Sequence, residues 1–99
     1  MTEIGKIEAE ISLSDKMARH VLAYVATVKE AAKPEIDTDL LRRAFCEEEG
    51  ARTAIVLHEP VDQAEKDRKL TYIAAYLIAS RGTLKPEEME AVLQTAGIA

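Results

Sequence analysis

The chain is predicted to be an all-α protein, a compact bundle of four to five helices, and three observations predict it. Apolar residues recur every three or four positions in separate stretches, which places them on one face of a helix each time. Residues that start and stop helices stand at the ends of those stretches: Ser12 or Ser14 and Pro34, Asp62 and Gly82, Pro86 and Gly97. Only one segment, near residues 53–58, has the composition of a strand, and it has no second strand to pair with. With 99 residues the chain is read as one helical domain, 1–99, large enough for a modest core without metals or disulfides, with residues 1–12 expected to be loosely ordered.

The first helix is expected over about residues 14–32. Met17, Val21, Val25, Val28 and Ala32 make its apolar stripe, Ala18 and Leu22 widen it, and Pro34 forbids continuation. Asp37 or Thr38 can cap a second helix whose inward face is Leu40, Leu41, Ala44 and Phe45 and whose stop is Gly50. The stretch "ARTAIVLHEP" then reads as a short helix broken by Pro60, with an extended segment at 53–58 as the alternative. A long helix runs from Asp62 to Arg81, with Leu70, Ile73, Ala74, Leu77 and Ile78 on one face and Gly82 as terminator. The last begins near Pro86, carries Glu87 and Glu88 in its first turn, turns Met89, Val92 and Leu93 inward and ends at Gly97.

Composition excludes several function classes. Thirteen basic against 18 acidic residues give a net charge of −5, the wrong sign for holding a phosphate backbone by counterion release. A lone cysteine forms no internal disulfide and suits a reducing cytoplasm. The start "MTEIGKIEAEISLSD" lacks a basic n-region with an apolar run, and no apolar stretch has the length of a membrane span, so a soluble, unprocessed, cytoplasmic protein is expected.

No catalytic or metal-binding pattern emerges. "DTDLLRRAFCEE" puts Asp37, Asp39 and Glu48 at positions 1, 3 and 12 of a calcium loop, but Arg42 stands where the turn glycine belongs and Leu41 at a liganding position. Cys46, His20 and His58 lack the short paired spacing of a zinc site. Cys46, beside Phe45 and ahead of three glutamates that would raise its pKa, is read as a small buried hydrophobe, not a nucleophile. With no GxSxG, P-loop or GxGxxG motif, the expectation is no enzyme activity, no cofactor and no metal.

What remains is interaction. The stretch 34–50 holds six carboxylates and two arginines, net −4, leaving −1 for the rest of the chain. Such a block is commonly a solvated face. A helix ending at Gly50, however, would crowd Glu47, Glu48 and Glu49 at its negative dipole end, a mismatch of less than about 1 kcal/mol per charge that hints at a role outside the fold. Glu35, Asp37, Asp39, Glu47, Glu48 and Glu49 are therefore the candidate contacts for a partner with a basic surface. Tyr72 and Tyr76, one turn apart, are candidate self-association residues, and Met17, Val21, Tyr24 and Val28 could form a two-heptad seam in a homodimer.

With "EIDTD" and "CEEEG" as its acidic marks and no enzyme motif, the chain resembles the small acidic proteins by which phages and other mobile elements block host nucleic-acid machinery, the anti-CRISPR proteins among them. The resemblance is one of class and covers general character. It implies a non-enzymatic inhibitor that occludes a basic groove of a protein or ribonucleoprotein complex, with no direct nucleic-acid binding. At −5 the chain is less acidic than extreme mimics, so the mimicry would be a patch. The alternative is a dimeric helical transcriptional regulator or DNA-binding accessory protein. For it, the turn "RGTLKPEE" could join two helices and Lys66, Arg68 and Lys69 could meet phosphate, but Glu87, Glu88 and Glu90 stand where base-reading residues belong.

Overall fold

The computed structural model describes residues 12–97, which form four α-helices and no strand. The expectation for residues 1–12 falls, Ser12 apart, outside the described residues. The fold groups into two compact units that divide between Ala51 and Arg52, inside the second helix.

In the first unit, α1 spans Leu13–Ala31. Ser12 caps it in extended backbone, its Oγ accepting from the Asp15 N–H at 3.0 Å, and Asp15 and Lys29 complement the two dipole ends. Helix α2 spans Thr38–Val56. Asp37 caps it, one carboxylate oxygen accepting from the N–H groups of Asp39 at 3.0 Å and Leu40 at 3.1 Å.

Helix α2 does not stop at Gly50, as the sequence predicts, and residues 53–56 are helical, not extended. The short third helix expected before Pro60 is the continuation of α2. A glycine inside a helix costs about 1 kcal/mol relative to alanine. Continuing the helix instead carries Ala51, Ile55 and Val56 to 1% exposure, and full burial of each branched side chain is worth about 2 kcal/mol. Burial wins. Since a Cβ on Gly50 would meet nothing within 4 Å, Gly50→Ala is expected to stabilise the fold by about 0.5–1 kcal/mol, read as a rise in the urea midpoint at unchanged slope.

In the second unit, the last turn of α2 is followed by α3, Gln63–Ser80, and α4, Pro86–Ala96. Asp62 caps α3 by accepting from the Glu65 N–H at 2.8 Å. The left-handed terminal residue of α3 is Arg81, at φ 53°, one position before the expected Gly82. Gly82 donates instead to Ser80 Oγ at 3.2 Å, and Ser80 donates to the Tyr76 carbonyl at 2.7 Å. Pro86 opens α4, the Glu88 carboxylate accepts from the Lys85 N–H at 3.0 Å, and Gly97 closes the helix in the left-handed region.

The helices match the apolar periodicity, but their buried faces do not. On α1 the buried residues are Leu13, His20 and Thr27, seven apart, while Val21, Leu22, Val25 and Val28 are exposed. On α3, Ile73 is buried and Leu70 and Leu77 half-buried as predicted, but Lys69 is buried and Ile78 is 79% exposed. On α4, Glu88 is buried and Met89 exposed. Polar side chains that complete hydrogen bonds have taken positions the periodicity assigns to apolar ones.

Candidate functional site

The first unit is a helical hairpin held at two polar points. His20 Nε2 and Glu48 Oε2 lie 2.7 Å apart, with side chains 1% and 7% exposed. With the carboxylate ionised, the imidazole N–H donates. Thr27 donates to the carbonyls of Ala23 at 2.9 Å and, across the hairpin, Ala44 at 3.2 Å. Tyr24 stacks on His20, ring centroids 6.5 Å apart. As the α1 partner advances from 20 to 27, its α2 partner retreats from 48 to 44, so the two helices are antiparallel.

That pairing decides which residues face outward. At about 100° per residue, Val21, Val25 and Val28 lie to one side of the contact line of α1, clockwise when viewed from its N-terminus. Phe45 and Glu49 lie on the corresponding side of α2. In an antiparallel pair these two sides coincide, so the valines of α1 and Phe45 share one side of the hairpin. Phe45 is 53% exposed and Val21, Val25 and Val28 are 40–49% exposed. Beside Phe45 is a shallow hollow of about 320 Å³ lined by Thr38, Leu41, Arg42, Cys46 and Glu49. Cys46 is exposed there, not buried as predicted, because the contact with α1 runs through Ala44 and Glu48.

The six predicted partner contacts are not one surface. Glu35, Asp37, Asp39 and Glu47 are exposed. Asp37 also caps α2, and Asp39 pairs with Arg42 at 2.6 Å in solvent, a pairing worth little. Glu48 is a correction: it is 5% exposed and bound to His20, so it is withdrawn from the contact set. Glu49 is half-buried and engaged within the fold. Glu47 and Glu49 point to opposite flanks of α2, separated by roughly 200°. The predicted dipole mismatch also disappears, because Glu47 to Glu49 are mid-helix once α2 runs to Val56.

Tyr72 and Tyr76 are half-buried and engaged within their own chain. The Tyr76 hydroxyl accepts from Arg52 at 3.1 Å and the guanidinium lies 5.9 Å from its ring centroid. Arg52 also donates to the buried Glu88 carboxylate at 3.0 Å. Tyr76, a candidate self-association residue, is thus held within the second unit. Of the basic set on α3, Lys69 is 1% exposed, its Nζ donating to the His58 carbonyl at 2.8 Å and to Thr95 Oγ1 at 2.9 Å. A buried ammonium cannot meet a phosphate, which removes the centre of the predicted DNA-contacting set.

Close to Lys69, His58 Nε2 and Glu65 Oε1 are 2.6 Å apart, and the same carboxylate oxygen accepts from the Val61 N–H at 3.2 Å. The hydrogen bond from His58 holds the Glu65 carboxyl below its ordinary value of 4.5. A depressed carboxyl stabilises the folded state above the unfolded value and loses that contribution as pH falls through the folded one. The stability advantage of wild type over Glu65→Gln is therefore expected to be present at neutral pH and to shrink as pH falls below about 4.5, as read by urea unfolding followed by far-UV circular dichroism at a series of pH values. The adjoining cavity of about 330 Å³ is lined in part by His58, Lys69, Gln94 and Thr95. The polar groups on its wall close the turn between α2 and α3. Sequence reading missed this cluster because His58, Lys69 and Thr95 lie on three different elements.

Among the described residues, no three histidine, cysteine, aspartate or glutamate side chains are placed to hold a metal, and no helix is long and apolar enough to cross a membrane. No family model matches the chain, and no characterised protein or solved structure is significantly similar to it.

Proposed function

We propose that the chain is a cytoplasmic, non-catalytic protein-binding module that occludes a basic surface of a nucleic-acid-handling complex, in the manner of anti-CRISPR-like inhibitors. One observation carries the reading. The first unit uses polar residues, His20, Thr27 and Glu48, to hold itself together, and leaves both its valines with Phe45 and the carboxylates Glu35, Asp37, Asp39 and Glu47 in water. An isolated hairpin gains nothing from that inversion. An apolar centre with charged residues at its edge is the anatomy of an interface, and exposed carboxylates accelerate encounter with a lysine- or arginine-rich surface.

The test is affinity purification of the tagged chain from nuclease-treated bacterial lysate, wild type beside Glu35→Lys/Glu47→Lys. Both positions are exposed and neither caps a helix, so the double variant changes charge by four without touching the fold. Expected is a stoichiometric nucleic-acid-handling complex on the wild type, at least ~10-fold less on the variant, and loss of capture as salt is raised. Equal capture by both proteins would overturn the electrostatic part; no such complex on either would overturn the function.

A further inference from the structure

We propose that the apolar side of the first unit is covered by a second copy of this chain, giving a two-fold symmetric dimer paired through α1. The inference rests on reading that unit as an interface. It names the occupant of the apolar part and leaves the outer carboxylates to the basic partner.

Ala18, Val21, Val25, Val28 and Ala32 follow one another at three, four, three and four residues, the repeat by which a helix packs along a like helix, and all five are exposed. The same helix carries a second line, Leu13, His20 and Thr27 at seven-residue intervals, turned toward α2 and fastened to it by hydrogen bonds. Helix α1 thus has two seams, one polar and filled within the chain, the other apolar and open. The predicted dimer seam through Met17 and Tyr24 is replaced by the open one, because Tyr24 is stacked on His20 on the filled side.

Shape, charge and area favour a second copy as occupant. The seam is built of alanine and valine alone, so two copies can approach closely and each presents what the other needs, as an isologous contact requires. Of the positions flanking it, Asp15, Leu22 and Lys29 on one side and Met17, Tyr24 and Ala31 on the other, two carry charges, and these are of opposite sign. On α2 the charges facing this side are Arg42 and Glu49, one of each sign, whereas Glu47 faces away and Glu35 precedes the helix. The net charge of −5 on each chain therefore does not oppose pairing at the seam. Val21, Leu22, Val25, Val28 and Phe45 are exposed to 46%, 73%, 40%, 49% and 53%, which leaves roughly 450 Å² of apolar surface in water per copy, at the size where patches mark interaction sites. With its rim, such a face approaches the roughly 800 Å² per partner of a standard specific interface.

In either orientation of the two helices about an axis centred on the seam, Val25 meets its own copy. The test measures the mass of the full chain by light scattering from micromolar to millimolar concentration, and the cross-linking of Val25→Cys in a Cys46→Ser background. Expected is a species of twice the chain mass of 10.9 kDa, a disulfide-linked dimer of Val25→Cys under oxidation, and none from Ala26→Cys, which faces elsewhere on the same helix. Val25→Glu, with helicity verified by circular dichroism, is expected to weaken pairing at least ~100-fold. A monomer at millimolar concentration would overturn the inference, as would a dimer that Val25→Cys does not cross-link. A monomer whose captured complex is lost on charge reversal would leave the proposed function standing without this inference. A cross-linked dimer that captures nothing would leave this inference standing without the function.

Discussion

Replacing His20 with alanine is expected to destabilise the protein by about 3–5 kcal/mol, because it leaves the Glu48 carboxylate inside the hairpin without its imidazole partner. The pair sits at 2.7 Å with both side chains nearly inaccessible. Glu48→Gln, which keeps an acceptor at the same place, is expected to cost about 1 kcal/mol, since an ordinary hydrogen bond replaces a charge-assisted one. The joint replacement His20→Leu/Glu48→Leu is the informative control. Exchanging a buried polar pair for well-packed apolar residues is often neutral or stabilising, so the double variant should recover most of what either truncation loses. Urea unfolding of the four proteins measures this. A loss below about 1 kcal/mol in His20→Ala would mean that the pair does not hold the hairpin.

Lys69 should show an effect of similar size in the second unit. Its side chain is 1% exposed and its ammonium binds the carbonyl of His58 and the hydroxyl of Thr95, joining the end of α2 to α4 through α3. Lys69→Ala removes both bonds and most of a long buried stem, and is expected to cost about 3 kcal/mol. Lys69→Met keeps the stem volume and loses only the donors, at about 1–2 kcal/mol. A difference of at least ~1 kcal/mol between the two variants, measured by urea unfolding, separates the packing contribution from the polar one. Equal losses would show that the hydrogen bonds account for all of it.

The helices were legible in the sequence because local chemistry defines them. Ser12, Asp37 and Asp62 offer oxygens to free N–H groups, Pro34 and Pro86 restrict φ and the N–H supply, and Gly97 accepts a left-handed backbone. Gly50 shows where local reasoning fails. A glycine terminates a helix when the following residues gain nothing by continuing it, and here Ile55 and Val56 gain full burial.

The candidate site was legible only in part. The exposed carboxylates Glu35, Asp37, Asp39 and Glu47 stand where an acidic stretch is expected, in water. Glu48 does not, and nothing in "CEEEG" marks it off from its neighbours. Its distinction comes from His20, 28 residues away. Their apolar character predicts Cys46 and Phe45 inward, yet they face solvent once the contact line of α2 passes through Glu48.

By itself, then, the amino-acid sequence determined the all-helical class, where most helices begin and end, and that the excess negative charge sits in one stretch. Those properties depend on backbone geometry and on neighbours within a turn or two. Only the tertiary structure decided which face of each helix is inside. An apolar stripe states that a helix wants a neighbour, without saying whether that neighbour belongs to the same chain. A buried polar residue needs a particular partner at hydrogen-bonding distance, and His20 with Glu48, Lys69 with Thr95 and Arg52 with Glu88 each had to be met across the fold. In α1, the bonds of His20 to Glu48 and of Thr27 to the Ala44 carbonyl face the neighbouring helix, roughly 100° around from its valines, and leave the valines facing out.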